Sequence, residues 1–335
     1  MENKNILITG AEGFIGSHLC EELLKKGAKV KALVLYNSNG DIGWLTDLPK
    51  SYLNSIEIVF GDIRDQNLII DISKNIDIIF HLAALIAIPY SYKAPKSYID
   101  TNVLGTLNVL QATNINSVGK LISTSTSEVY GSALYTPIDE MHKLQAQSPY
   151  SASKIAADHL LESFVKSYNT PAVIMRPFNT YGPRQSERAV IPTIIRQIID
   201  PNCKTIKIGD LSPKRDFNYV LDTVNAFIQL AGLSHKNIEY GSAYNAGTGK
   251  AISIDETFKL INTITNNSKL IIKDKSRIRP PKSEVNHLIA SSTKLYEATK
   301  WKPHTSLEEG LKETVNWWKQ RFKENKVNNP SNYSI

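Results

Sequence analysis

Tyr150 and Lys154 have the residue types and the spacing of a general base and its charged partner. The chain contains three Tyr-x-x-x-Lys patterns, and this one opens a long helical segment, with Ser148 and Pro149 typical of its N-cap and first position. Because residues four apart share a helix face, the Lys154 ammonium can stabilise the Tyr150 phenolate and lower its pKa from about 10. A tyrosine tuned in this way acts as a base toward a sugar or alcohol hydroxyl.

A second reactive group follows a predicted buried strand. Thr126, Ser127 and Glu128 lie within a hydroxyl-rich stretch, residues 123–131, which the βα pattern places at the carboxyl edge of a parallel sheet. Ligands of such sheets bind at that edge. The alternative is a loop in which the hydroxyls cap backbone groups and Glu128 is solvated.

Three glycines mark a phosphate-binding turn between the first strand and the first helix. Gly10, Gly13 and Gly16 allow a tight turn, close approach of a pyrophosphate and close packing of the helix on the sheet. The helix N-terminus then presents N–H groups and the positive end of its dipole to the phosphates. The sequence therefore predicts a dinucleotide site here.

The end of the second predicted strand does not identify the dinucleotide. Residues 34–38 contain neither the carboxylate that holds an NAD ribose nor an arginine that would receive the 2′-phosphate of NADP. We expect NAD and leave NADP open. Asp62, after the third strand, is placed to meet the adenine amino group, or alternatively to cap the following helix.

The charge of the chain is divided unequally between its halves. Residues 1–170 carry 14 Lys and Arg against 17 Asp and Glu, whereas residues 171–335 carry 25 against 15. Arginine forks bond two oxygens of a diphosphate at once, so the arginines of residues 176–184, 214–217 and 277–284 predict an anion site. A merely solvated basic surface is the alternative.

The pattern of apolar runs predicts the helices and strands that position these residues. Short Ile/Leu/Val runs alternate with helical patterns over residues 5–176, which predicts an α/β fold with a doubly wound parallel sheet. We expect a Rossmann-type domain over residues 1–178 and about 216–248. A smaller substrate-binding lobe would comprise residues 179–215 and 249–324, and residues 325–335 would form a flexible tail.

Composition excludes several classes of protein. The 335 residues are 41% hydrophobic and 21% charged, and the longest apolar stretch, Ile78–Ile88, is too short to span a bilayer. Cys20 and Cys203 have no partner motif, so neither a disulfide framework nor a metal site is expected. No basic run suggests nucleic acid. We expect a cytoplasmic protein without a membrane segment.

Together these segments resemble the extended short-chain dehydrogenase/reductases that act on nucleotide sugars, from residue 4 to about residue 320. Thr126, Ser127 and Glu128 resemble the signature of sugar-nucleotide 4,6-dehydratases, whereas simple 4-epimerases usually lack that glutamate. Residues 125–131, 147–154, 176–185 with 189–192, and 279–284 are most similar to the dehydratases of the legionaminic acid route. Those enzymes serve cell-surface polysaccharides and act on a nucleotide-diphospho-N-acetylglucosamine.

The resemblance implies a mechanism. Tyr150, aided by Lys154 and Thr126, takes the proton of the sugar O4 while the C4 hydride passes to NAD. Glu128 then removes the C5 proton, the C6 hydroxyl leaves as water, and the hydride returns to C6. Ser127 replaces the aspartic acid of the dTDP-glucose enzymes, as in the GDP-mannose type, which makes Glu128 the preferred acid for the leaving hydroxyl.

The resemblance also assigns binding residues. The cofactor set is Gly10, Gly13, Phe14, Ile15, Gly16, Asp62, Ile63, Leu82, Ala83, Ala84, Asn102, Tyr150 and Lys154. The substrate set is Asn179, Arg184, Arg215, Arg279 and Glu284. Family members commonly form homodimers through the helices that contain residues 97–113 and 149–166.

Three other functions stay open. UDP-glucuronate decarboxylases share the Thr-Ser-Glu signature, and 4-epimerases share the fold and the tyrosine. A non-catalytic NAD-binding sensor of the same fold would be expected to lack Tyr150 or Lys154, and both residues are present. The nucleotide base, GDP or UDP, is not determined by the sequence.

Overall fold

The computed structural model describes residues 1–274, 277, 280, 283, 285 and 287–327. Its centre is a seven-stranded sheet in which every neighbouring pair is parallel. The order of strands is β11-β6-β5-β4-β1-β2-β3. The predicted doubly wound α/β fold is confirmed. The strands are β1 (Asn5–Thr9), β2 (Lys29–Leu35), β3 (Glu57–Gly61), β4 (Ile78–His81), β5 (Lys120–Thr124), β6 (Ala172–Pro177) and β11 (Ala243–Ala246).

Helices cover both faces of this sheet because its strands are apolar on both sides. Along β1, Ile6 and Ile8 pack into one core cluster while Leu7 packs into the other. Such two-sided burial is what continuous aliphatic strands require. The helices are α1 (Phe14–Lys25), α2 (Lys50–Leu53), α3 (Gln66–Ile72), α4 (Ile88–Lys93), α5 (Pro95–Tyr98), α6 (Gly105–Ile115), α7 (Pro149–Tyr168), α8 (Val190–Ile199), α9 (Val220–Gly232), α10 (Ile254–Thr265), α11 (Thr293–Thr299) and α12 (Leu307–Lys323).

Among the described residues, three short strand pairs lie outside the main sheet, and all involve residues after 178. β7 pairs with β10, β8 with β13, and β9 with β12. Helices α8, α10 and α12 pack on one another beside them. The strands are β7 (Asn179–Tyr181), β8 (Thr205–Ile208), β9 (Lys214–Arg215), β10 (Phe217–Tyr219), β12 (Ile252–Ser253) and β13 (Leu270–Lys273).

An aromatic cluster ties the last helix to the loop after β2. The guanidinium of Arg321 lies 4.7 Å from the ring centroid of Trp44 and 5.0 Å from that of Trp317. It also pairs with Asp47 at 3.2 Å. Trp44 and Asp47 belong to a short 3-10 helix, Gly43–Asp47, so α12 supports a segment of the first half of the chain.

The helix predicted over residues 97–113 is interrupted in the structure. A π-helical turn, Ile99–Leu104, lies between α5 and α6. Such turns are frequent at functional sites, and periodicity does not reveal them. Helix α8 contains Pro192, which sits in the first turn, where its missing N–H costs nothing.

Both cysteines are buried thiols. Cys20 lies on α1 inside the core, where burial raises the pKa of its thiol, and Cys203 lies just before β8. Over the described part of the chain, no helix is long and apolar enough to cross a membrane. Within the same residues, no cluster of His, Cys, Asp or Glu could hold a metal ion.

Candidate active site

A capping box fixes the start of α7 and therefore Tyr150. The Ser148 hydroxyl accepts from the Ser151 N–H at 3.1 Å, and the Ser151 hydroxyl accepts from the Ser148 N–H at 3.0 Å. Pro149 occupies the first turn, where a missing N–H costs nothing. The predicted cap and first helical residue are both present. Tyr150 thus enters the site from a rigid helix terminus.

Tyr150 is buried among apolar and aromatic side chains. Tyr98 meets its ring edge-on with 6.2 Å between centroids, and Ile88 belongs to the same cluster. The Tyr150 hydroxyl shares a hydrogen bond with Thr126, which lowers its pKa, but burial outweighs that effect and raises the pKa well above its ordinary value. The predicted lowering by Lys154 is therefore not observed in this structure.

The Tyr150 pKa is not lowered as predicted because the Lys154 ammonium is engaged elsewhere. Its Nζ donates to the Thr124 carbonyl at 2.6 Å, at the end of β5. Burial lowers the pKa of Lys154 to about 8, and the nearby Asp158 carboxylate raises it. Lys154 thus supplies a positive charge beneath the site near neutral pH, and it holds the strand end that carries Thr126.

A buried polar network that sequence reasoning missed lies behind Lys154. Asp158 accepts from the Ser125 hydroxyl at 2.8 Å and from Nη2 of Arg176 at 2.9 Å. Arg176 Nη1 donates to the Tyr130 hydroxyl at 3.0 Å, and that hydroxyl donates to Asn245 Oδ1 at 2.7 Å. The available signal was Asp158 itself, four residues after Lys154 on the same face of α7.

Thr126, Ser127 and Glu128 form the tight turn after β5. Thr126 is the N-cap of a short 3-10 helix, Ser127–Tyr130, and its hydroxyl accepts from the Glu128 N–H at 3.2 Å. Ser127 is almost completely buried, whereas Glu128 is half-buried. The Glu128 carboxylate lies close enough to Tyr150 to raise its pKa. The structure therefore brings the predicted base, its hydroxyl partner and the carboxylate together.

Asn102 braces the site and is saturated by its protein contacts. It lies in the π-helical turn, where Oδ1 accepts from the Leu85 N–H at 2.8 Å. Its Nδ2 donates to the Leu85 carbonyl and to the Ser153 hydroxyl, both at 2.9 Å. Because Ser153 lies between Tyr150 and Lys154, Asn102 locks α7 to the segment after β4. It positions the site rather than offering a free donor to a cofactor.

The glycine turn has the shape that a dinucleotide needs. Gly10 has a φ of 68°, and a Cβ on it would lie 2.8 Å from the Ala83 nitrogen, so Leu82 and Ala83 pass directly beside the turn. A Cβ on Gly16 would collide with the Gly10 carbonyl. Gly13 is the N-cap of α1 and makes no side-chain cap, which leaves the N–H groups of the first turn, at Phe14 and Ile15, for a phosphate.

A buried histidine fixes the strand that faces this turn. Thr9 Oγ1 lies 2.8 Å from His81 Nδ1 and accepts from the N–H groups of Leu82 and Ala83, each at 3.1 Å. The other ring nitrogen of His81 lies 3.1 Å from Thr106 Oγ1. Burial lowers the pKa of His81 to about 3, so the imidazole is neutral. β1 and β4 are thereby locked together at the cofactor edge.

Asp62 and Ile63 follow β3, but Asp62 is not a helix cap. The N-cap of α3 is Asp65. Asp62 is paired with Arg64, whose Nε donates to Oδ1 at 2.9 Å, and this pairing lowers the pKa of the carboxyl. Ile63 is buried, and Asn108 donates to its carbonyl at 3.0 Å. The expected adenine contact of Asp62 stays a prediction.

The predicted substrate residues differ in their surroundings. Asn179 opens β7, and its Oδ1 is buried without a partner among the described residues. Arg215 is buried on β9, and its Nη1 donates to the Lys214 carbonyl at 3.1 Å. Arg184 pairs with Glu21 of α1 at 2.9 Å, so it joins the two halves of the chain. Arg279 and Glu284 lie outside the described residues.

The comparison with family models decides the identity at this point. A model described as GDP-mannose 4,6 dehydratase matches residues 7–314. The chain belongs to the GDP-mannose 4,6-dehydratase family. The match extends over the glycine turn, the Thr126 turn and α7, so the whole site described above belongs to this family of sugar-nucleotide epimerases and dehydratases.

Relatives in this family carry out several reactions. A Methanocaldococcus jannaschii protein, provisionally named UDP-glucose 4-epimerase, is 35% identical over 94% of this chain and 98% of its own. The dTDP-D-glucose 4,6-dehydratase of Mus musculus is 31% identical over 95% and 90%. The UDP-N-acetyl-alpha-D-glucosaminuronate decarboxylase of Bacillus cytotoxicus is 33% identical over 95% and 98%.

Solved structures of the family superpose over nearly the whole chain. The UDP-N-acetylglucosamine 4-epimerase of Methanobrevibacter ruminantium has a TM-score of 0.85 at 31% identity, covering 96% of this chain and 100% of that one. The dTDP-glucose 4,6-dehydratase of Bacillus anthracis, solved in complex with NAD, has a TM-score of 0.82 at 26% identity, with 96% and 98% covered. The glycine turn of this chain fits the same cofactor.

Proposed function

We propose that this protein is a nucleotide-sugar 4,6-dehydratase that uses NAD. Its substrate is a GDP- or UDP-linked N-acetylglucosamine, and its product is the corresponding 4-keto-6-deoxy sugar. The observation that carries the proposal is that Glu128 lies in the same tight turn as Thr126, the hydrogen-bond partner of Tyr150. Removal of the C5 proton requires a second base, which alcohol oxidation alone does not require.

The residues of the site divide the proton transfers between them. Tyr150 receives the proton of the sugar O4, with Thr126 as its hydrogen-bond partner and Lys154 as the nearby positive charge. Glu128 removes the C5 proton, which a 4-ketone acidifies, and delivers a proton to the departing C6 hydroxyl, so that one water is lost. Bound NAD would supply the hydride acceptor for C4 and the hydride donor for C6. C5 regains a proton equivalent to the one that Tyr150 took from O4, so that the net change is the loss of one water. Ser127 carries a hydroxyl, a weaker acid than a carboxylic acid, so Glu128 is the preferred acid.

The remaining assignments follow from the resemblance. The nucleotide diphosphate sugar contacts Asn179, Arg215, Arg279 and Glu284. Residues after 178 supply most of the substrate-binding lobe. The exposed Ile99 and Leu104, in the segment through which family members dimerise, support a homodimer. A cytoplasmic role in making legionaminic acid precursors of cell-surface polysaccharides completes the proposal.

Two other reactions have support among the relatives. A 4-epimerase needs Tyr150 and NAD but has no use for Glu128 as a base. A decarboxylase acts on a uronic acid and releases carbon dioxide instead of water. The similarity to an epimerase and to a decarboxylase makes both of them the alternatives for the experiment to separate.

Mass spectrometry of the reaction products tests the proposal. The purified protein is incubated with NAD and, separately, with GDP-N-acetylglucosamine, UDP-N-acetylglucosamine and UDP-glucuronate. Loss of one water from either N-acetylglucosamine nucleotide supports the dehydratase, and the substrate that reacts identifies the nucleotide as GDP or UDP. Loss of carbon dioxide from UDP-glucuronate would instead support the decarboxylase. A product of unchanged mass that chromatography separates from its substrate would support the epimerase.

A further inference from the structure

The end of β2 carries a carboxylate that comes from a different part of the chain. Glu12 belongs to the glycine turn, and its Oε1 accepts from the N–H of Leu35, the last residue of β2, at 3.0 Å. Dinucleotide folds place a carboxylate at this strand end to bind the adenosine ribose. Residues 34–38 contain none. Glu12 brings one to the same strand end from the neighbouring turn.

The polar side chains after β2 are already used within their own loop. Asn37 Nδ2 donates to the Asp41 carbonyl at 2.8 Å, and its Oδ1 accepts from the Asp41 N–H at 2.8 Å. The Asp41 carboxylate accepts from the Gly43 N–H at 2.8 Å. Neither side chain needs a ligand to complete its hydrogen bonds.

Glu12, by contrast, has unused hydrogen-bonding capacity. Its Oε2 is shielded from solvent and has no hydrogen-bond partner among the described residues, while Oε1 accepts from the Leu35 N–H. Burial raises the pKa of Glu12, while the backbone N–H groups of Leu35 and of Glu12 itself lower it. An unpaired carboxylate oxygen in such a place is costly, and a hydroxyl donor would offset that cost.

The position of Glu12 is fixed by the 3-10 helix after β2. The Trp44 N–H donates to the Glu12 carbonyl at 3.0 Å. A Cβ on Gly43 would lie 3.0 Å from the Glu12 Cβ, so the helix packs directly on this residue. Arg321 and α12 hold Trp44 in turn. The carboxylate is therefore presented by a supported turn rather than by a free side chain.

We propose that Glu12 binds the adenosine ribose of NAD through its 2′-hydroxyl and excludes the 2′-phosphate of NADP. The hydroxyl donates to the carboxylate, whereas a phosphate at the same place would set its negative charge against that of Glu12. The inference rests on NAD as the cofactor and is independent of which sugar reaction follows. It makes the glycine turn responsible for cofactor choice.

Binding measurements test this without any turnover. Calorimetric titration of the wild-type protein with NAD, NADP and NAD bearing 2′-deoxyadenosine gives three dissociation constants. We expect the deoxy analogue to bind about tenfold more weakly than NAD, the cost of deleting a hydrogen bond to a charged group, and NADP to bind more weakly still. In Glu12→Ala, NAD and its 2′-deoxyadenosine analogue should have equal dissociation constants.

Two further variants separate charge from shape. Glu12→Gln keeps the side-chain size and an acceptor for Leu35, so we expect the NADP to NAD ratio of dissociation constants to fall at least tenfold. Asp41→Asn removes the same charge from the exposed loop and should leave the ratio unchanged within about twofold. Circular dichroism confirms that each variant is folded.

Three outcomes would overturn the proposal. They are a wild-type protein that binds the deoxy analogue as tightly as NAD, a Glu12→Gln variant with an unchanged ratio, and an Asp41→Asn variant that shifts the ratio as much as Glu12→Gln. The first of these outcomes is measured on the wild-type protein, so it does not depend on whether a variant folds. A failed sugar reaction would leave all three measurements intact, so the two proposals fail separately.

Discussion

Tyr150 is both buried and raised in pKa, so it makes a strong base once deprotonated. In Tyr150→Phe the ring packing against Tyr98 is preserved, but the O4 proton has no acceptor. We expect turnover to fall by about 10³-fold or more, while the dissociation constant for NAD changes less than about twofold. Product formation and NAD titration check this. Turnover near the wild-type rate would remove Tyr150 from its assigned role.

Glu128 acts after oxidation in the proposed sequence, and its removal should separate the two stages. In Glu128→Gln the C4 oxidation proceeds but the C5 proton stays in place, so we expect reduced nicotinamide to accumulate on the enzyme. Water loss should fall by about 10²-fold or more. Stopped-flow absorbance of reduced nicotinamide measures the accumulation. Glu162→Gln, on α7, is the matched control, and unaltered water loss in Glu128→Gln would contradict the assignment.

Asp158 affects the ionisation of both Tyr150 and Lys154, because its negative charge raises the pKa of each. In Asp158→Asn both pKa values should fall, so the pH profile of kcat/KM should move to lower pH. Its alkaline limb, where Lys154 with a pKa of about 8 loses its proton, should move in the same direction.

The control for this variant is Ser125→Ala, which deletes a hydrogen bond to Asp158 but leaves its charge. A merely structural role of Asp158 would lower the rate in both variants without moving the profile. Because Asp158→Asn also leaves the buried Arg176 without its counter-charge, the profile is measured well below the unfolding temperature of the variant.

Lys120 links two elements through a buried helix terminus. Its Nζ donates to the carbonyls of Ala231 and Leu233 at 2.8 and 2.5 Å, at the C-terminal end of α9. A cation there satisfies carbonyls that the helix cannot and complements its dipole. Replacing Lys120 by Met should lower the free energy of unfolding by about 2 kcal/mol.

Urea unfolding followed by circular dichroism measures this effect. Lys166→Met is the control because Lys166 is exposed in the last turn of α7. Its free energy of unfolding should stay within about 0.5 kcal/mol of the wild type. Equal losses in both variants would show that Lys120 does not support α9.

The sheet and the helices beside it were predictable because each has a local signal. Aliphatic runs predicted the strands β1 to β6, and a Ser148 cap with Pro149 predicted the start of α7. The reactive residues followed from those elements, since parallel strands end at one edge. These features depend on neighbours in sequence, which is what periodicity and capping rules describe.

The features that sequence reasoning missed depend on contacts between distant segments. Arg176 and Asp158 meet because β6 runs beside α7, and Arg184 reaches Glu21 across 163 positions. The π-helical turn and the pKa of Tyr150 likewise depend on what surrounds them. No spacing rule contains that information, so neither the network nor the direction of the pKa shift could be predicted.

The whole molecule divides its charge so that residues 171–335 are strongly basic. The positive charge of this half should attract the proposed substrate, a nucleotide diphosphate sugar, and dissolved salt should screen that attraction. We expect its dissociation constant to rise at least about threefold between about 0.05 and 0.5 M NaCl. Calorimetry measures this, with sucrose at matched osmolality as the control. A constant that does not change with salt would mean that the basic half does not attract the substrate.

The two buried cysteines lie in different halves of the chain, Cys20 on α1 and Cys203 just before β8. A thiol reagent reaches each sulfur only when the structure around that cysteine opens. The rate of labelling at each position therefore measures local unfolding there. Peptide mapping distinguishes the two sites without introducing any substitution. Comparing the labelling rates of Cys20 and Cys203 with and without nucleotide therefore shows whether binding suppresses local unfolding in one half of the molecule or in both.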